Sequence, residues 1–449
     1  MTSETPTTTP KGSDKPRMLI GMQLGNGYGS QVTAWRAPQV DVNNYVNLDS
    51  HVRYARKAER GKFHFLFFPD SPNQTQKHPG EAPQMTLDPL ITMAAIARET
   101  SHIGMVTTAS TSWNEPYNLA RQLKTLDVMS GGRIGWNAVT GSDPMGAANF
   151  GQELKPSHER YERLHEFVQI TQALWGSWEK DNWPPNRDAS IFADPDKIRP
   201  INLGGKHVAS RGPLPIPPSK QGQPVIFQAG GSPNGLTVAG RYANVVIGAA
   251  FTKEDAKAQR MRVRQAAADA GRDPDEMKFV AGIMPTIAPT MREALDRRGF
   301  LVEPTIQQRV SYLGLMLSTT LTPEDLDTTL TNRPLRANPS DPRSGRALEL
   351  AREGWTVRDI LYHGIIDFHP SPIGPPEVTA DHMQEWFEYG AVDGFWFSPD
   401  IYEDGIDAFV DGVVPILQRR GLFHADYEAD TLRGHLGIAE QYGPDPRLQ

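Results

Sequence analysis

Short apolar runs and amphipathic stretches alternate along most of this chain. "MLIGMQ" (18–23) precedes a helical pattern near 48–60, and "FHFLFF" (63–68) precedes one in "DPLITMAAIARET". "HIGMVTT" (102–108) leads to a helix from Pro116 to Met129, where Leu119, Leu123 and Leu126 repeat at helical spacing and Pro116 suits the first turn. "RIGWNAV" (133–139) comes next. It is followed by "SHERYERLHEFVQITQALWGSW", whose Tyr161, Leu164, Phe167, Val168, Leu174 and Trp175 share one side. "PVIFQ" (224–228), "NVVIG" (244–248), "KFVAGIM" (278–284) and "GFWFS" (394–398) bring the strands to eight, each with a helical pattern after it.

Strands separated by helices pair in parallel, because parallel neighbours need crossover connections. Eight such units predict an α/β fold, a closed (β/α)8 TIM barrel, in preference to a doubly wound open sheet. Residues 1–16, "MTSETPTTTPKGSDKP", are polar and Thr/Pro-rich and are expected to be a disordered tail. Residues 17–449 are expected to form one domain. A barrel needs about 250 residues. The surplus falls near 179–223 and 288–379, expected as long loops over the C-terminal face, the second as a lid.

Composition narrows the function. The formal net charge is −7 with no basic block, which argues against nucleic acid as a partner. No run of about 18 apolar residues exists, so no transmembrane helix is expected. The N-terminal stretch lacks a signal peptide's apolar core, and the expectation is a soluble cytoplasmic protein. Cysteine is absent, which excludes disulfides, thiolate metal sites and a cysteine nucleophile.

Barrel chemistry sits at the C-terminal ends of the strands. There the chain places Asp70 and Ser71, then Thr107, Thr108, Ser110 and Thr111, then Asn137, then Gln228, Gly230, Gly231 and Ser232. Polar groups without a charged nucleophile–base pair suit a polar planar cofactor better than acid–base hydrolysis. Taken alone, Asn137 reads first as a capping or turn-bonding amide, and only the other strand ends make it a site candidate. "QAGGSPNG" is either an anion site at a helix N-terminus or a plain glycine turn. His158, Glu162 and His165 have metal-like spacing, but no second Glu-x-x-His lies on a suitable helix and no metal is expected. Tyr161, beside them, is a candidate phosphate contact. A metal-dependent barrel hydrolase, a rival function, would want His-x-His on the first strand, which "MLIGMQLG" lacks.

Five stretches together carry a resemblance: "TASTSWNEPYNLARQLKTLDVMSGGRIGWNAVTG", "NFGQELKPSHERYERLHEFV", "RGPLPIPPSKQGQPVIFQAGGSPNG", "MQEWFEYGAVDGFWF" and "TLRGHLGI". The chain resembles the nitrilotriacetate monooxygenase component A family of bacterial luciferase-like flavin monooxygenases, which includes dibenzothiophene-sulfone, EDTA and long-chain-alkane monooxygenases. The resemblance implies an enzyme that uses reduced FMN (FMNH2) and O2 to oxygenate a small organic substrate through a flavin C4a-peroxide. It also implies a separate NAD(P)H-dependent flavin reductase as partner, and association into a homodimer or homotetramer. The Trp-rich "LWGSWEKDNW" offers apolar area for that association. By motif match, Asp70, Thr108, Asn137, Tyr161 and Ser232 would bind FMN, with Tyr161 and Ser232 near the phosphate. The family's histidine four residues before that tyrosine falls on Ser157 here, and the adjacent His158 is carried as a cofactor contact. The first-strand loop, "GNGYGSQVTAWRAP", lacks the relatives' histidine, which His363 or His369 would replace. A deazaflavin-dependent oxidoreductase of the same superfamily is the alternative. Sequence leaves sulfone, aminopolycarboxylate, alkane and ketone substrates all open.

Overall fold

The computed structural model describes residues 16–74, 76 and 78–443, so the expected tail lies outside the described residues except for Pro16. The eight expected strands are β1 (Leu19–Gln23), β2 (Phe65–Phe68), β3 (Gly104–Ser110), β4 (Ile134–Val139), β5 (Val225–Ala229), β6 (Val245–Gly248), β7 (Lys278–Ile283) and β8 (Gly394–Phe397). They close into a barrel in chain order, every neighbouring pair parallel and β8 returning to β1. The outer ring consists of α1 (Leu48–Arg60), α2 (Pro89–Glu99), α3 (Pro116–Met129), α4 (Ser157–Trp175), α5 (Pro233–Tyr242), α6 (Lys253–Asp269), α7 (Pro376–Glu388) and α8 (Tyr402–Ala408).

Side chains alternate along each strand with a period of two. On β4, Ile134, Trp136 and Ala138 face the helices, where Trp136 packs against Phe167 and Trp175. The opposite face of the strands builds a separate interior core from Phe65, Phe67, Val106, Phe227, Val280 and Trp396. The floor of this interior comes from the far end of the chain. Leu432, in the terminal helical turn Leu432–His435, packs so closely under β3 that a Cβ at Gly104 would lie 2.5 Å from its Cδ1. The "TLRGHLGI" stretch is therefore the plug of the barrel's N-terminal end.

Both insertions differ from the long loops expected. Residues 288–379 hold four helices, Met291–Val302, Ile306–Met316, Ser344–Arg352 and Val357–Tyr362. These pack around their own core of Leu295, Val310, Leu313, Leu350 and Ile360. A two-stranded ladder, Thr286–Ile287 with Ile373–Gly374, closes the base. The Pro-rich connectors hide the helical periodicity of "MREALDRRGFLV" and "IQQRVSYLGLM" between them. The other insertion ends beneath the barrel, not over its mouth. Ser219 and Gln221 donate to the buried Asp127 carboxylate near the start of β4, and Lys124 donates to the Gly222 carbonyl.

The Trp-rich stretch does not supply the apolar surface expected of it. Trp175 and Trp178 are buried, with indole N–H groups donating to the Ala120 and Leu214 carbonyls at 3.0 and 2.8 Å. Only Trp183 of the three is exposed. Among the described residues, no helix is long and apolar enough to cross a membrane.

Candidate active site

A cleft of about 590 Å³ opens at the C-terminal mouth of the barrel. Register places Thr108 of β3 directly beside Asn137 of β4. Asn137 donates from Nδ2 to Thr108 Oγ1 at 2.9 Å, while its Oδ1 is buried without a partner. The amide is thus held across two strands and caps no turn. An unpartnered buried oxygen costs about 1–3 kcal/mol unless a ligand satisfies it, so this orphan marks where a donor belongs. Ser110, two residues further along β3, accepts from the Ser112 and Gly141 amides at 3.1 and 2.9 Å and pins both mouth loops.

The other end of the cleft is built on helix N-termini. Ser232 caps α5, its Oγ accepting the Gly235 N–H at 3.1 Å. The same hydroxyl lies 3.3 Å from Tyr161 Oη, from the first turns of α4. Glycine is required between them. A Cβ at Gly235 would crowd both hydroxyls at 3.2 Å, and Gly230 sits at φ +141°. Amide groups of a helix start and two hydroxyls converge here, and the Arg160 guanidinium, which lines the same cleft, donates to the Gly141 carbonyl. This is the chemistry of an oxyanion or phosphate site.

The structure brings Asp70, Thr108, Asn137, Tyr161 and Ser232 into one cleft. It leaves His158 out. Ser157 and Tyr161 are four residues apart on α4 and share the cleft face, whereas His158 is turned by about 100° and is exposed to solvent. Glu162 and His165 have no joint ligand geometry either. Glu162 pairs with Lys206 and His207, each at 3.1 Å, and His165 hydrogen-bonds with Tyr242. Of the two candidate replacement histidines, only His369 borders this cleft. Its ring stands edge-on to Trp396 at 4.9 Å and lies over Gly282, where a Cβ would come within 2.6 Å of Nδ1. Burial pushes its pKa down to about 4, so the ring is neutral at pH 7, and Nδ1 has no partner. His363 lies away from the cleft, its ring edge against Trp355 at 5.0 Å.

The luciferase-like monooxygenase model matches residues 28–393. The chain belongs to the luciferase-like monooxygenase family. This luciferase-like monooxygenase is 38% identical over 436 residues to N-acetyl-S-(2-succino)cysteine monooxygenase of Bacillus subtilis (strain 168), covering 95% of this chain and 98% of the relative. Nitrilotriacetate monooxygenase component A of Aminobacter aminovorans is 36% identical, over 94% of this chain and 98% of its own. Among solved structures, EDTA monooxygenase from Chelativorans sp. BNC1 superposes with a TM-score of 0.77 at 31% identity, over 94% of this chain and 99% of that one. Riboflavin lyase, solved with modified FMN and riboflavin, gives 0.75 at 29%, over 94% and 96%. The chain is a flavin-dependent monooxygenase by this kinship.

Two groups that shape the monooxygenase cleft gave no local sequence signal as site residues, Arg160 and Trp396. Arg160 sits one position before Tyr161 in a helix of many charges, and Trp396 reads as plain strand core. Asp70 stands apart in its electrostatics. Its carboxyl is open to the cleft, yet the walls desolvate it and Asp88 lies near, which pushes its pKa from 3.8 up to about 6. A raised folded-state value means that the folded protein loses stability as pH rises from about 4 to 6 and the carboxyl ionises. Asp70→Asn should therefore melt slightly higher than wild type at pH 8, by about 1–2 °C because solvent screens the charge, and match it below pH 4. Thermal unfolding at both pH values, without flavin, checks this. A lower melting point at pH 8 would show that the carboxylate is stabilising.

Proposed function

We propose that this chain is the oxygenase of a two-component system. It would take reduced FMN from a separate NAD(P)H-dependent flavin reductase and place one atom of O2 into a small organic substrate, the other leaving as water. The polarity of the cleft carries this proposal. An anion-binding end at Ser232 and Tyr161 faces a neutral amide, Asn137, whose Oδ1 lacks a partner. A flavin has that shape: a flat ring with an amide-like edge at one end and a phosphate tail at the other. The relative named component A supports a separate reductase, and the solved lyase with its modified FMN supports the flavin.

When bound, reduced FMN supplies the electrons that activate O2. This chain's residues position it and keep the site dry. Asn137 would hold the ring edge through Oδ1, with its own orientation fixed by Thr108. Ser232, Tyr161 and the α5 N-terminus would hold the phosphate. Phe67, Ile247 and Trp396 line the mouth with apolar surface that excludes water, which would otherwise divert the oxidation toward H2O2.

The purified protein should bind FMNH2 more tightly than oxidised FMN, and should consume substrate only when a flavin reductase and NAD(P)H are both present. Anaerobic titration and a reconstituted assay test this. Turnover with NAD(P)H and no flavin source, or preference for a reduced deazaflavin, would overturn the proposal.

A further inference from the structure

A second cavity of about 520 Å³ lies between the insertion, the start of α6 and one side of α7 from Val378 to Trp386. Its size is within the range of small-molecule sites, about 300–1,000 Å³. His369 borders both this cavity and the flavin cleft. If the cofactor fills the cleft, a substrate must approach from an adjoining space, and this cavity is one.

The wall chemistry selects a class of ligand. Phe251, Met291, Ile365, Ile373, Val378 and Trp386 make much of the wall apolar. The cations that border it are already committed. Lys253 pairs with Glu385 at 2.5 Å, Arg346 with Glu349 at 3.0 Å, and Arg343 grips Asp341 at 2.7 Å. A carboxylate ligand would have to compete with these partners. Three imidazoles also border the cavity, His363, His369 and His382, each held neutral at pH 7 by burial that lowers its pKa to about 4. Each keeps one ring nitrogen without a protein partner: Nε2, Nδ1 and Nε2 respectively. Uncharged imidazoles bordering an otherwise apolar wall suit an uncharged ligand such as a ketone, sulfone or ether better than an anion.

We propose that this cavity holds the body of the substrate, an uncharged and largely apolar organic molecule, with its oxidisable end directed past His369 into the flavin cleft. The assignment rests on the oxygenase reading of the cleft, and it separates this chain from relatives named for aminopolycarboxylates.

The probes are 2-octanone and octanoate, alike in length and different in charge, titrated calorimetrically into the full chain without flavin. The ketone should bind about tenfold or more tightly than the acid. Gly345 borders the cavity, and a Cβ there meets nothing within 4 Å. Gly345→Trp should therefore project into open space and weaken ketone binding about tenfold, with FMNH2 affinity changed less than twofold. Val378→Trp, from α7, should do the same by an independent route. Equal or tighter octanoate binding, no ketone binding at millimolar concentration, or ketone affinity unmoved by both variants would overturn the assignment. Ketone binding that both variants weaken, in a protein that fails to bind FMNH2, would uphold a neutral-ligand cavity and overturn the oxygenase reading.

Discussion

Asp367→Ala is expected to destabilise the protein by about 3–5 kcal/mol, the cost of leaving a buried charge without its partner. Asp367 accepts from Arg298, whose side chain is 0% exposed among the insertion helices. Gln31, with its amide oxygen turned toward the guanidinium, accepts from Arg298 Nη1 and Nη2 at 2.9 and 3.1 Å and ties the loop after β1 to the insertion. Ser371 donates to the same Asp367 carboxylate at 2.7 Å. His369 lies between Asp367 and Ser371, so this clamp fixes the backbone that carries the imidazole over the barrel mouth. Removing the carboxylate should lower both stability and turnover. The double variant Arg298→Met, Asp367→Leu removes both charges and fills similar volume, and should recover most of the stability. Denaturant unfolding of the single and double variants measures the difference. A single variant within about 1 kcal/mol of wild type would mean that solvent reaches Arg298, and that the clamp does not fix the insertion.

Much of the barrel is legible in sequence because its signals are local. Each strand is a short apolar run bounded by turn residues, and each helix shows its own stripe. Leu119, Leu123 and Leu126, for example, are buried as their spacing requires. The polar residues at strand ends are equally local, which is why Thr108, Asn137 and Ser232 stand out from their positions along the chain. What sequence does not show is set by contacts distant along the chain. Nothing near "DFHPSP" indicates that His369 will rest on Gly282, nor does "TLRGHLGI" indicate that Leu432 will pack beneath Gly104. His158 shows the opposite limit. An error of one residue on a helix turns a side chain by about 100°, enough to move it from the cleft to solvent. The insertion misleads because prolines punctuate its connectors, while its helices bury their stripes on one another.

The phosphate end and the ring end of the cleft should respond differently to substitution. Tyr161→Phe removes a hydroxyl that takes no part in capping, whereas Ser232→Ala also removes the oxygen that accepts the Gly235 N–H. Hydrogen bonds to charged groups are worth about 1.5–3 kcal/mol, so each variant should weaken FMNH2 binding by roughly tenfold to a hundredfold. Ser232→Ala should also cost about 1 kcal/mol of stability through the lost cap, and Tyr161→Phe should not. Saturating flavin should restore most of the turnover in both, because the phosphate is remote from the reacting ring. Asn137→Ala acts at the ring. It removes the amide that pairs with Thr108 Oγ1 at 2.9 Å and the unpartnered Oδ1 beside it. Turnover should fall about tenfold, and H2O2 released per NAD(P)H consumed should rise, even at saturating flavin. The measurements are anaerobic FMNH2 titration, melting temperature and peroxide yield for all three variants. If Tyr161→Phe and Ser232→Ala both leave FMNH2 affinity unchanged, the phosphate lies elsewhere and the flavin must be turned round in the cleft; if Asn137→Ala is restored by excess flavin, the amide holds the tail and not the ring.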